Sequence, residues 1–200
     1  MAFLSRYSLT LPEARALRLT DTYSLHRIVY DLFPLRVAEA TPAERDILYA
    51  DKGGDARQRR LLILSGRQPR TPEHGQLECR SIPDALFGFT AYRFEIILNP
   101  ARRNGGTGKI IPVRGREAIA AWFLEKAPEW GFAARPHTLL VTNDHQDSFI
   151  KNGHTVTLNK ATVTGFLDVT NSAVFAHAVL AGIGRARAFG CGLLQLTPAL

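Results

Sequence analysis

Cysteine is scarce in this chain of 200 residues. The only two, Cys79 and Cys191, lie far apart and have no neighbours at metal-ligand spacing, so we expect neither a disulfide scaffold nor a cysteine metal site. No apolar run approaches the ~18 residues that a membrane-spanning helix needs. The N-terminus also lacks the charged start, apolar block and small-residue cleavage site of a signal peptide. These absences predict a protein of the reducing cytoplasm.

Acidic residues are also few relative to basic ones. The chain has 18 Asp and Glu against 25 Lys and Arg, a formal charge of +7, and no acidic residue lies between 169 and 200. Net charge reports on partners rather than on fold. A basic excess favours nucleic acid, because neutralising phosphates releases counterions, although a merely basic surface is the alternative that charge alone leaves open. Clustering of the basic residues in three segments favours a phosphate-binding face: 57–80, 102–116 and 185–187.

Hydrophobic residues make up 46% of the chain, which suits one large domain or two small ones. Their periodicity predicts helices at 21–33, 117–126 and 171–181, and strands at 2–11, 45–50, 59–64, 76–82, 89–98, 109–113, 137–142, 155–169 and 192–196. This order favours an α+β fold over a doubly wound parallel sheet. Two tandem ferredoxin-like (RRM-like) domains fit it, at 1–84 and 89–200, with 81–88 as the region of the linker.

The first predicted helix carries titratable side chains beside its apolar face. Asp21 has the position of an N-cap, and Pro34 ends the helix. Tyr23, His26 and Tyr30 fall on one flank, and the first two are an i,i+3 pair. Such residues often only bury their rings at a helix edge. However, histidine exchanges protons near neutral pH and tyrosine donates hydrogen bonds, so acid/base chemistry is the alternative.

The C-terminal segment GIGRARAFGCG, residues 182–192, has two glycine pairs that flank five residues. It is not a dinucleotide-binding fingerprint, because the third glycine would fall at Arg187 and too few residues remain for a crossover helix. Glycines let a backbone approach a partner closely and present its N–H groups to phosphate. We therefore expect RNA contacts from this segment and from the basic turn near residue 104: Arg102, Arg103, Lys109, Gly182, Gly184, Arg185, Arg187, Gly190 and Gly192.

Three segments together carry a family resemblance. They are the terminal run GIGRARAFGCGLLQLTPAL, the helix TDTYSLHRIVYDLFP and, more weakly, FEIILNPARRNGGTGKIIP. The terminal run, with its Gly-hydrophobic-Gly-x5-Gly-hydrophobic-Gly pattern, resembles the end of the CasE family, the CRISPR repeat-RNA endoribonucleases of the type I-E Cascade complex. The helix resembles that family's first helix.

The resemblance implies two ferredoxin-like domains that recognise a repeat RNA hairpin, together with other Cascade subunits as partners. It implies cleavage without metal or other cofactor, leaving a 2′,3′-cyclic phosphate, with His26 as the principal acid/base residue and Tyr23 as its partner. Family members often add a basic side chain from the second domain, for which Lys160 is the candidate and Lys151 its rival. A non-catalytic RNA-binding subunit of such a complex is the alternative, and a small-molecule enzyme is a third.

Overall fold

The N-terminal alternation of apolar and polar residues forms a strand, as predicted. In the computed structural model, which describes residues 1–34, 47–55 and 57–199, the first half of the chain forms six elements: β1 (Phe3–Thr10), α1 (Leu11–Ala16), α2 (Thr22–Asp31), β2 (Ile47–Gly54), β3 (Gln58–Ser65) and β4 (Gln76–Ser81). The strands form an antiparallel sheet of order β2-β3-β1-β4. This is the ferredoxin-like order, although no helix separates β3 from β4 in the described residues 66–75.

The two helices cover one face of this sheet. Tyr7 and Leu9 of β1 point to that face and are almost completely buried, as are Leu25 and Val29 of α2. The spacing of the α2 residues places them on one side of the helix, so their burial leaves the flank with Tyr23 and His26 at the edge of the core.

The second half of the chain repeats this plan. Its elements are β5 (Ala91–Leu98), β6 (Ala101–Arg103), β7 (Ile110–Pro112), α3 (Arg116–Lys126), β8 (Phe132–Ala134), β9 (Leu140–Lys151), β10 (His154–Val169), α4 (Ser172–Ala181) and β11 (Gln195–Pro198). The main sheet has the order β11-β5-β10-β8, and β9 also pairs with β10. β6 and β7 form a separate two-stranded hairpin. The α+β fold with two ferredoxin-like domains is confirmed.

The face of the first sheet that its helices leave uncovered packs against the second half of the chain. Leu48 and Leu64 of the first sheet pack with Leu193, which follows the glycine-rich segment. Lys52 of β2 forms an ion pair with Glu95 of β5 and donates a hydrogen bond to the amide oxygen of Gln195 over 2.7 Å. These contacts place the C-terminal glycines beside β2 and α2.

Some predicted boundaries are wrong. The strand expected at 137–142 begins only at Leu140, because Pro136–Thr138 forms a 3-10 turn, and it continues to Lys151. The final strand begins at Gln195 rather than at residue 192. Residues 45 and 46 of the strand expected at 45–50 lie outside the described residues. Helix α1 was not predicted, although Thr10 and Glu13 form a capping box at its start.

Candidate active site

Helix α2 is the element that positions the predicted acid/base residues. Its N-terminus is capped by Asp21, whose carboxylate accepts from the backbone N–H of Ser24 over 2.7 Å, while the Ser24 hydroxyl accepts from the Asp21 N–H over 2.9 Å. The His26 ring centroid lies 5.9 Å from that of Tyr23 and 4.2 Å from that of Tyr30. The three side chains share one flank, as the helical spacing predicts.

The glycine-rich segment 182–192, here called the glycine loop, follows α4 and lies against strand β2. A Cβ at Gly182 would come within 2.5 Å of the Leu48 side chain, and one at Gly190 within 3.0 Å of the Tyr49 ring. All four glycines have left-handed backbone angles, with φ of +80°, +75°, +81° and +88° at Gly182, Gly184, Gly190 and Gly192. The loop therefore needs glycine both for its conformation and for its close contact with the first domain.

His26 meets the glycine loop directly. Its Nδ1 lies 2.8 Å from the carbonyl oxygen of Ala188, a residue 162 positions further along the chain. A carbonyl oxygen only accepts hydrogen bonds, so Nδ1 carries a proton, and Nε2 is the basic nitrogen of the neutral imidazole. The hydroxyl of Tyr49 donates to the same oxygen over 3.2 Å.

Aromatic rings from both domains surround this contact. Tyr23 lies parallel to Phe149 of β9, with an interplanar angle of 3° and 6.1 Å between centroids. Phe189 of the glycine loop lies 4.9 Å from Phe149 and 5.4 Å from the His26 ring. The ammonium of Lys151 lies 5.4 Å from the centroid of Phe189. Lys151 is thus connected to His26 through one ring.

Lys160 of β10 approaches α2 one helical turn before His26. Its Nζ lies 2.9 Å from the Thr22 hydroxyl and 2.9 Å from the carboxylate of Asp147, and its side chain is only 14% exposed. Burial alone would raise the pKa of Asp147, but hydrogen bonds from Thr22 and Lys160 hold that pKa below its usual range. Thr22 and His26 are four residues apart on α2, so Lys160 contacts the helix one turn before His26 and on the same side.

Comparison with known proteins identifies the family. The model of the family described as CRISPR associated protein matches residues 2–198. The chain belongs to that family. It is 26% identical over 191 residues to the CRISPR system Cascade subunit CasE of Escherichia coli K12, covering 89% of this chain and 92% of that protein. This match confirms the resemblance to CasE proteins.

Solved structures of low sequence identity share the fold. A structure of the CRISPR endoribonuclease Cse3 bound to a 19 nt RNA has a TM-score of 0.81 and 21% identity, covering 99% of this chain and 100% of that one. Thermus thermophilus Cse3 bound to an RNA that represents a pre-cleavage complex has a TM-score of 0.80 and 21% identity, covering 98% and 99%. Cas6e from Escherichia coli K-12 has a TM-score of 0.73 and 19% identity, covering 98% and 100%.

In this CRISPR-associated protein, the predicted basic turn forms the tip of the β6–β7 hairpin. Arg102 pairs with Glu125 of α3 over 2.7 Å. The guanidinium of Arg103 donates to the Gly108 carbonyl over 3.3 Å, and Lys109 is exposed. The hairpin therefore presents these three basic residues on a short exposed ribbon.

The basic and glycine residues of the loop have a different placement. Arg185 and Gly184 are exposed, and a Cβ at Gly184 would meet nothing closer than 3.6 Å. Arg187 instead turns back and donates to the carbonyl of Ala181, the last residue of α4. Gly190 and Gly192 are buried. Of the loop residues predicted to contact RNA, Gly184 and Arg185 lie exposed on the surface.

Three site residues were missed from the sequence: Tyr49, Asp147 and Phe149. Tyr49 lies in a predicted strand with nothing to distinguish it from other core tyrosines. The other two lie in the polar half of β9, where the available signal was the Asn152-Gly153 pair, whose φ angles of +50° and +77° form the hairpin turn to β10.

The described residues contain neither a metal-binding cluster nor a membrane-spanning helix. No group of three or more His, Cys, Asp or Glu side chains in that part of the chain is arranged to hold a metal ion. None of its helices is long and apolar enough to span a bilayer. Cys191 is buried, and burial raises the pKa of its thiol to about 12, which disfavours the reactive thiolate.

Proposed function

We propose that this protein is a metal-independent endoribonuclease that cleaves CRISPR precursor RNA within its repeats, beside the repeat hairpin, and leaves a 2′,3′-cyclic phosphate. His26 is the principal acid/base residue and Tyr23 its partner. The proposal is supported by the similarity to CasE and by solved relatives named as CRISPR endoribonucleases with bound RNA.

The contact between His26 and the Ala188 carbonyl carries this proposal. This contact fixes the tautomer of His26 and joins the helix that carries it to the glycine loop. Here the 2.8 Å contact makes Nε2 the proton-exchanging atom. The neighbouring Arg185 and Gly184 are exposed, so RNA that lies along the glycine loop would reach the imidazole.

RNA supplies the nucleophile for this reaction. The 2′-oxygen bonds to the adjacent phosphorus while the bond from phosphorus to the 5′-oxygen breaks, so one proton leaves the 2′-hydroxyl and one is added to the departing 5′-oxygen. A single histidine can act in either proton transfer, an effect worth ~10²- to 10⁴-fold. Alignment of the attacking and leaving oxygens by the bound hairpin supplies much of the remaining rate.

Basic side chains complete the proposed site. We assign Lys160 to stabilising the charge on the reacting phosphate, because it is the cation that contacts the catalytic helix one turn before His26. Lys151, above the Phe189 ring, is the rival for this role. Arg102, Arg103 and Lys109 of the hairpin, with Gly184 and Arg185, are proposed to bind RNA phosphates. The loop that presents Gly184 and Arg185 is held in its conformation by Gly182, Arg187, Gly190 and Gly192.

We further propose that residues 1–84 and 89–200 are the two domains, with the catalytic helix on the first and the glycine loop on the second. The arginines that position the RNA hairpin before cleavage would also retain the cut RNA, as expected of a subunit that stays with its guide RNA. The similarity to a protein named as a Cascade subunit supports other Cascade subunits as partners.

Cleavage of repeat RNA in the presence of a chelator tests the proposal. Wild-type protein should cut once beside the hairpin, yield a 2′,3′-cyclic phosphate, and fail on RNA with a 2′-deoxynucleotide immediately upstream of the cut. His26→Ala should lower the single-turnover rate by about 100-fold or more while RNA affinity persists. His177→Ala, a change at an exposed histidine of α4, is the matched control.

Two outcomes would contradict the proposal. Cleavage of the deoxy-substituted RNA would exclude attack by the 2′-hydroxyl. Tight binding with no cleavage by the wild-type protein would indicate the non-catalytic RNA-binding subunit.

A comparison of Lys160→Ala with Lys151→Ala decides which lysine acts on the phosphate. Loss of the lysine that stabilises the phosphate charge should slow cleavage by about tenfold or more.

A further inference from the structure

We infer that Tyr49 is a positioning residue for the reaction: its hydroxyl fixes the Ala188 carbonyl, and that carbonyl in turn fixes the imidazole of His26. This inference rests on the proposed function of His26. Tyr49 does not reach the RNA itself, because its side chain is completely buried.

The geometry places two donors on one acceptor. The Ala188 oxygen receives His26 Nδ1 over 2.8 Å and the Tyr49 hydroxyl over 3.2 Å, and a carbonyl oxygen has two lone pairs for two such bonds. Both donors come from the first domain and the acceptor comes from the second. The carbonyl is therefore held between a helix and a strand that are fixed relative to each other by the first core.

Tyr49 is a rigid reference point for the loop. It lies in β2, where its backbone pairs with Ile63 of β3, and its ring is packed in the first core. The loop backbone around Ala188 is unusual, since Ala186 has a left-handed φ of +61° and Gly190 one of +81°. Ala188 lies in the short 3-10 turn Arg187–Phe189, in which the Ala186 and Arg187 carbonyls accept the backbone hydrogen bonds, whereas the Ala188 oxygen accepts from His26 and Tyr49.

The Tyr49 hydroxyl is protonated and can donate at neutral pH. Burial raises the pKa of Tyr49 far above its usual range, so the hydroxyl keeps its proton at neutral pH. The ring of Tyr49 also lies beside the loop backbone, since a Cβ added at Gly190 would lie 3.0 Å from the ring carbon Cε2. Tyr49 thus contacts the loop through both its hydroxyl and its ring.

The test compares Tyr49→Phe with Tyr7→Phe. Tyr7 is the matched control, since it is buried in the same core and its hydroxyl donates to the His74 carbonyl over 2.7 Å, outside the proposed site. Both variants lose one buried hydroxyl and should lose similar thermal stability. Tyr49→Phe alone should slow single-turnover cleavage by about tenfold, with the affinity for repeat RNA unchanged.

A spectroscopic readout separates positioning from structure. In ¹⁵N-histidine NMR of the wild-type protein, assigned by comparison with His26→Ala, the neutral His26 ring should show the Nδ1–H tautomer. Tyr49→Phe should show a mixture of both tautomers, whereas Tyr7→Phe should match the wild type. A wild-type ring with its proton on Nε2 would overturn the inference, and so would equal cleavage by the two variants.

The cleavage comparison requires that the wild-type protein cuts RNA, whereas the tautomer measurement does not depend on the proposed function. If wild-type protein failed to cut any repeat RNA, the proposed function would fall, but the tautomer measurement would still decide whether Tyr49 orients His26. If wild-type protein cuts and Tyr49→Phe cuts equally fast with an unchanged tautomer, only the positioning role is wrong.

Discussion

The glycine loop and the β6–β7 hairpin are both rich in glycine and arginine, yet they have opposite placements. In the loop, an added Cβ at Gly182 or Gly192 would come within 2.5 Å of other atoms, and Arg187 bonds to the end of α4. In the hairpin, a Cβ at Gly105 would meet nothing within 4 Å, and Lys109 is exposed. Similar composition therefore serves internal packing in one region and an open surface in the other.

The largest effect is expected from alanine at a loop glycine. Gly192→Ala would place a Cβ 2.5 Å from the Ile183 carbonyl at a φ of +88°, so we expect the free energy of unfolding to fall by about 2–4 kcal/mol. Cleavage should fall with it, because the loop holds the His26 acceptor. Gly105→Ala is the control and should change neither quantity. Thermal unfolding and single-turnover assays measure both, and equal stability of the two variants would refute the packing contrast.

Removal of hairpin charge should affect RNA binding rather than stability. Arg103→Ala combined with Lys109→Ala should weaken binding by about tenfold and lower the slope of log affinity against log salt by about 1–2, because fewer phosphates are neutralised. Fluorescence anisotropy over a salt series measures this. Arg187→Ala should instead lower the melting temperature and leave the slope unchanged. An equal loss of slope for Arg187→Ala would show that this arginine does bind phosphate.

Ion pairs beside the two regions provide the smallest contrast. The Asp147–Lys160 pair near the loop is mostly buried, whereas Arg102 and Glu125 at the hairpin are about half exposed, with side-chain exposures of 52% and 54%. Asp147→Asn should reduce the free energy of unfolding at pH 7 by about 1–2 kcal/mol, because Lys160 loses its counterion. Glu125→Gln should change it by less than about 0.5 kcal/mol.

The stability difference between wild type and Asp147→Asn should also depend on pH. The pKa of Asp147 is lowered in the folded protein, so its contribution to stability is present at neutral pH and is lost as the pH falls through the acid range in which the carboxylate gains a proton. The difference between wild type and Asp147→Asn should therefore shrink below about pH 4. Thermal melts between pH 3 and pH 7 measure it, and a difference that stays constant would argue against an ionised Asp147.

Local patterns predicted the elements of the fold better than they predicted the site. Alternation along β1 and the Asp21 cap of α2 are properties of neighbouring residues, so the sequence contains them directly. The contact of His26 with Ala188 joins positions 162 residues apart through a backbone oxygen, which has no side-chain signature. Nothing in the spacing of residues within either segment indicates that the two meet.

The partners of Lys160 show the same limit. The polar stretch of β9 has no apolar alternation, so the strand predicted from the sequence ends at residue 142 and does not include Asp147. Sequence periodicity reflects burial, and a half-exposed strand that reaches across to another domain has little of it. The signal that could have revealed β9 is the turn that ends it, Asn152-Gly153.

The atom that orients the imidazole belongs to the main chain, so the arrangement does not depend on which small side chain stands at position 188. It depends on the number of residues in the glycine loop. Five residues separate Gly184 from Gly190, and one residue more or fewer would direct a different peptide group toward helix α2. The length of this segment therefore helps to position the His26 ring, and insertions or deletions in it should do more harm to the proposed activity than substitution of Ala188.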